Sequence, residues 1–169
     1  MDDVNYEFFF HACQNESVNE EIIRYLLEHF PTAAHATNNV EDEDEKYWTP
    51  LHAACSNKNI TLDVVHLLIN AMSKAKEPLR SETSQGSLPL HVLCKNQGVG
   101  ENEATTIVKF MLEQCPESIR HANNDSNLPL HFASAYRGVE ICRVLAEIYP
   151  ESLQIRGAGE GGSASPSCM

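Results

Sequence analysis

Thr49-Pro50-Leu51-His52-Ala53-Ala54-Cys55 decides the fold, because the chain writes this stretch again further on. Pro89-Leu90-His91-Val92-Leu93-Cys94 and Pro129-Leu130-His131-Phe132-Ala133-Ser134 repeat it, and Phe8-Phe9-Phe10-His11-Ala12-Cys13 is a looser first copy. The histidines at 52, 91 and 131 stand 39 and 40 residues apart. Self-similarity at such a period marks a solenoid rather than a single closed core. Proline at a first helical position gives up no needed hydrogen bond, and Thr49 before it is a good helix cap. Each opening therefore predicts a short helix, with small residues where a neighbour approaches closely.

A polar stretch follows each opening, and then a second apolar run at helical spacing. These runs are Ile22–Leu27, Val64–Ile69, Ile107–Leu112 and Ile141–Ala146. Ile22, Ile23, Leu26 and Leu27 make one face, with Glu20, Arg24 and Glu28 largely off it. Ser17-Val18-Asn19-Glu20 matches a capping box, and Thr61 can cap the run that starts at Leu62. Pro31, Pro116 and Pro150 come just after three of the runs and mark helix ends. The expectation is eight main helices, arranged as four helix–turn–helix units with little strand. One such pair cannot bury both its faces, so stability must come from contact between neighbours. The predicted architecture is an all-α solenoid over residues 1–155, with repeats near 6–39, 48–82, 87–121 and 127–155. Residues 156–169, rich in Gly and Ser, read as a flexible tail.

Thr49-Pro50-Leu51-His52-Ala53-Ala54 resembles the ankyrin signature T-P-L-H-x-A almost letter for letter. Leu88-Pro89-Leu90-His91 and Leu128-Pro129-Leu130-His131 resemble it with leucine in place of threonine. The resemblance covers roughly residues 6–155. It implies an L-shaped stack of antiparallel helix pairs with turn-like projections, and protein binding on the concave side. The departures are informative. Repeats of this kind run to about 33 residues; these are longer, and the surplus is expected between the two helices, as in Lys95–Asn102, and between repeats. Without the threonine, the bond that fixes the motif histidine passes to backbone groups. Phe10 takes the histidine's place in the first unit. Pro150-Glu151-Ser152-Leu153 matches Pro116-Glu117-Ser118-Ile119, which leads into another repeat, yet only the tail follows it. That predicts a shortened array or a fragment, with Ile141, Val144 and Leu145 exposed on an uncapped last unit.

The 169 residues carry a net charge of −12, of which residues 1–47, with twelve acids against Arg24 and Lys46, supply −10. With no basic patch to neutralise phosphates, nucleic acid and anionic membrane are poor partners. No run of apolar residues is long enough to span a bilayer. The opening Met-Asp-Asp is acidic where an export signal is basic, so an intracellular site, cytoplasmic or nuclear, is expected. The sequons at Asn15, Asn59 and Asn124 then carry no weight. Five of the six cysteines sit in apolar-periodic segments and read as buried, reduced thiols.

His52 with Cys55, and His91 with Cys94, have the spacing of two ligands on one helix face. They lie in successive repeats about 10 Å apart, too far to share one ion, so no metal and no cofactor is expected. No phosphate loop, nucleophile elbow or HExxH motif is present, so no catalytic residue is assigned. The acidic run Glu41-Asp42-Glu43-Asp44-Glu45 reads as a solvated loop that can also steer a basic partner toward Tyr47 and Trp48. Trp48, the only tryptophan, suits a binding anchor, although tryptophan also packs over helix starts. Thr49, Pro50, Leu51, His52, Pro89, Leu90, His91, Pro129, Leu130 and His131 are assigned to the repeat itself. The expected function is a non-catalytic protein–protein interaction module that uses its concave face and rim loops. The alternative is an assembly module that self-associates through its last repeat; a metal- or thiol-dependent enzyme comes third.

Overall fold

The computed structural model describes residues 3–35, 37–38, 47–71 and 77–157. Its elements come in four sets. The first is α1 (Asp3–Gln14), α2 (Glu20–His29) and a 3-10 turn (Pro31–His35). The second is α3 (Pro50–Ser56), α4 (Leu62–Asn70) and the short α5 (Glu77–Arg80). The third is α6 (Pro89–Lys95), α7 (Glu101–Gln114) and a 3-10 turn (Pro116–Arg120), and the fourth is α8 (Pro129–Tyr136), α9 (Val139–Ile148) and a 3-10 turn (Pro150–Gln154). The eight expected helices form, joined by α5 and the 3-10 turns, and no strand occurs among the described residues.

The four openings lie side by side. α1 packs on α3, α3 on α6 and α6 on α8 as an inner row; α2, α4, α7 and α9 form the outer row in the same order. The core runs between the rows, through Phe9, Leu51, Leu90 and Leu130 from the first helices and Ile23, Val65, Val108 and Leu145 from the second, all buried. Buried alanines and cysteines at Ala53, Ala54, Cys55 and Ala133 keep inner helices close. This is the neighbour-dependent burial that a lone helix pair lacks.

Sequence and structure part company at several places. The cap of α2 is Asn19, not Ser17: its side-chain oxygen accepts from the Ile22 amide at 3.0 Å, and Glu20 turns to Arg24 instead. Thr61 does cap α4. The surplus length of the third unit is not in the linker, since Asn57–Thr61 and Asn96–Gly100 are equally long connections. It is an extra turn at the start of α7, where Glu101 and Glu103 are good helix formers whose charge suits the positive helix end. Ile141, Val144 and Leu145 are buried, against the expectation of an exposed last unit, because α9 turns them onto α7 and α8. Ile22, expected in the core, is exposed. Cys13, Cys55, Cys94 and Cys115 are buried free thiols, and Cys142 is buried as well.

Candidate binding groove

The motif histidines build the frame on which the groove rests. In His52, Nδ1 accepts from the Thr49 amide at 3.1 Å and meets Thr49 Oγ1 at 2.8 Å, while Nε2 donates to the Ser87 carbonyl, 35 residues on, at 3.1 Å. His91 repeats this with the Leu88 amide at 3.1 Å and the Asn127 carbonyl at 3.1 Å. His131 does so with the Leu128 amide and the Ile155 carbonyl, both at 2.9 Å. The threonine's absence in the last two units leaves Nδ1 to the backbone amide, as expected. Each ring ties its own helix start to the segment preceding the next unit. A ring that accepts at Nδ1 and donates at Nε2 is neutral. Burial holds it so, lowering the pKa of His52 and of His91 to about 4.

The Ser87 and Asn127 carbonyls also close tight hairpins, accepting from the Thr83 and Asn123 amides, both at 3.0 Å, and the Trp48 carbonyl accepts from the Asn38 amide at 2.9 Å. The residue before each of these carbonyls has positive φ: Tyr47 at 64°, Gly86 at 69° and Ser126 at 59°. The hairpins lock together through the Asn124 amide on the Gln85 carbonyl and the Asn124 side chain on the Ser84 carbonyl, both at 3.0 Å.

A groove of about 300 Å³ opens between these hairpins and the inner helices. Its apolar lining is Trp48, Val92 and Phe132; its polar lining includes Ser56, Gln85, Ser87, Lys95 and Asn96. Phe132 stands edge-on to His91, with centroids 5.7 Å apart. Trp48 is half-buried, its amide held by Asn38 Oδ1 at 2.6 Å and its ring 6.0 Å from His52, so the predicted anchor also packs over the start of α3. Tyr47 is exposed beside it. Glu41, Asp42, Glu43, Asp44 and Glu45 lie outside the described residues. Pro50, Leu51, Pro89, Leu90, Pro129 and Leu130 are buried in the frame with His52 and His91, while His131 is half-buried.

Val92 and Phe132 were not singled out from the sequence. Both follow the motif histidine, at the variable place of the signature, and that variability was the available signal. A second framework also escaped notice. The Asn57 side-chain amide donates to the carbonyls of Cys13 and Asn15 at 3.0 and 2.7 Å, and Asn96 does the same to Cys55 and Asn57 at 2.9 and 3.0 Å. In the fourth unit Arg137 takes this role, reaching the carbonyls of Asn96 and Val99.

The chemistry open to these groups is limited. Both ring nitrogens of His52 and His91 are engaged, and burial pushes the Cys13 and Cys55 thiols far up and Cys94 up to about 12. No cluster of three metal-ligating side chains occurs among the described residues, and no helix there is long and apolar enough to cross a membrane. The groove offers shape, apolar area and hydrogen bonding.

Residues 2–77 match a family model described as ankyrin repeats in three copies. The matched span takes in α1 to α4, and the third and fourth helix pairs beyond it repeat the same histidine and hairpin geometry. No curated protein matches the chain.

Proposed function

We propose that this ankyrin-repeat chain is a non-catalytic intracellular module that holds a segment of another protein in the groove between Trp48, Val92 and Phe132. Ankyrin repeats generally mediate protein–protein interaction, and they are generally non-catalytic. The observation that carries the finer reading is the groove itself, lined by both apolar and polar side chains on a frame tied across units by His52, His91 and Asn96. Such a frame is ordered before the partner arrives, so binding loses little conformational entropy. The fitting ligand is a peptide with a bulky apolar side chain for the Trp48–Phe132 wall and main-chain groups for Gln85, Ser87 and Asn96. Glu41–Glu45, next to Trp48 in sequence, favour basic residues flanking that anchor.

As the only tryptophan, Trp48 reports directly on its own site. Peptides selected from a random library on the immobilised chain should change its fluorescence on binding. Phe132→Ala should weaken that binding by at least about tenfold, as expected of a central anchor contact. Peptides that bind without perturbing Trp48, and bind Phe132→Ala equally well, would place the interaction elsewhere on the molecule.

A further inference from the structure

The outer face of the first helix pair is built like an inner seam. Ile22, Val64, Ile107 and Ile141 hold the same place in α2, α4, α7 and α9. The last three are buried to 1%, 0% and 0% exposure, but Ile22 is 41% exposed. Ile141 belongs to the last described pair and is buried against that pair and the one before it, so this column faces the preceding pair. Phe8, 62% exposed, stands where Pro50, Pro89 and Pro129 are buried. With Ala12 and Val18 these residues line an open groove of about 300 Å³. A capping unit of a soluble solenoid ordinarily turns a polar face outward, and the first described pair turns out Phe8 and Ile22 instead.

The hydrogen bonds tell the same story from both ends. Asn15 holds the Ser17 amide at 2.8 Å just as Asn57 holds that of Asn59 at 2.9 Å. Asn57 also gives its side-chain amide to two carbonyls of the preceding pair, whereas that of Asn15 meets no partner among the described residues. At the other end, the carbonyls of Ser134 and Tyr136 stand where those of Cys55 and Asn57 receive Asn96. Among the described residues no side-chain amide reaches them.

We propose that the face formed by Phe8, Ala12, Val18 and Ile22 seats the fourth helix pair of a second copy of this chain. The two molecules stack head to tail, with Asn15 donating to the carbonyls at the end of α8 and the inner and outer rows running on across the junction. The contact continues the seams already present between the units, which is what selects a repeat end as its occupant. A heterologous contact of this kind does not close on itself, so association proceeds past the dimer. The inference is independent of the groove at Trp48.

Sedimentation velocity of the full chain, from about 1 to about 300 µM, should show an average mass that rises with concentration beyond two copies. Ile22→Asp and Phe8→Asp should each weaken association by at least about tenfold, because a carboxylate would be buried there without a partner. Both side chains are exposed in the single molecule, so thermal midpoint and helical circular dichroism should stay at wild-type values and separate lost association from lost folding. A monomer at every concentration would overturn the proposal, as would a dimer that grows no further, which means face-to-face pairing, or unchanged association of Ile22→Asp. None of these results bears on fluorescence of Trp48 with a bound peptide.

Discussion

Single residues in this molecule act mostly through the backbone geometry they permit. Gly86 has φ of +69°, and a Cβ placed there would sit 2.6 Å from Asn124 Oδ1 and 3.1 Å from the Asn124 backbone nitrogen. Alanine therefore meets two penalties, a left-handed backbone costing about 1–2 kcal/mol and a collision with the hairpin of the next unit. Gly86→Ala should lose about 2–3 kcal/mol in urea unfolding, the range of a strained and overpacked site. Ser126, at the matching place with φ of 59°, gives the opposite case. Ser126→Gly removes left-handed strain but adds unfolded-state entropy, so the two effects nearly cancel and stability should move by less than about 1 kcal/mol. Equal losses at the two positions would mean that the contact with Asn124 contributes nothing.

At the scale of elements, the joints between helix pairs rest on side chains that bond across the seam. Glu103 accepts from the Leu62 amide at 2.8 Å and so caps α4, while Glu101 accepts from the Gly138 and Ile141 amides at 3.3 Å and caps α9. Asn96 supplies the neighbouring joint on the inner row. Removing its side chain takes the donor from the Cys55 carbonyl, leaves the Asn57 carbonyl only the Ile60 amide at 3.3 Å, and leaves the Gly98 amide without its acceptor. Asn96→Ala should cost about 2–3 kcal/mol, because partly buried partners lose their bonds with nothing in exchange. Asn15→Ala, which breaks only the local bond to Ser17, should cost the single chain about 1 kcal/mol or less. A comparable loss at both sites would show that the turn matters and the cross-seam bonds do not. These joints also explain what could be read in advance. The histidine openings were plain because their periodicity lies in the apolar pattern. Cys13-Gln14-Asn15, Cys55-Ser56-Asn57 and Cys94-Lys95-Asn96 were equally regular, but their partners lie about one repeat away, and spacing alone does not say which atoms meet. Arg137 was illegible for another reason: α8 runs one residue longer than α6, which moves the joint out of register. The groove was half legible, through Trp48, because Val92 and Phe132 occupy the one place in the motif that the repeat leaves free.

On the scale of the whole molecule, the histidine row couples the stack to pH. His52 bridges the second and third units and His91 the third and fourth, each as a neutral ring whose Nδ1 must accept. Protonation would set an N–H against the amide of Thr49 or Leu88. In the unfolded chain both rings ionise near pH 6.5; in the folded chain burial first of all, and for His91 also the ring of His121 at 5.9 Å, brings this down to about 4. The sign follows from the order of these values. As pH falls through 6.5 the unfolded state takes up protons that the folded state refuses, so stability present above pH 6.5 is lost progressively down to about pH 4 and changes no further below it through these two groups. Each ring contributes at most about 1.4 kcal/mol per pH unit, on the order of 3 kcal/mol over the whole window. Since a domain's net stability is about 5–15 kcal/mol, two such rings are enough to carry the stack close to unfolding near pH 4. Because stability in a solenoid is a sum over neighbouring units, the loss should begin at the seams that these rings bridge. Urea midpoints measured from pH 7.5 to 4 should fall steadily through this window. In His52→Gln, which is less stable at pH 7.5, the fall should be shallower by up to about half, since one of the two refusing rings is gone. A wild-type midpoint that stays level from pH 6.5 to 4.5 would mean that the rings take up protons in place, and that the bonds at Nδ1 do not hold the units together.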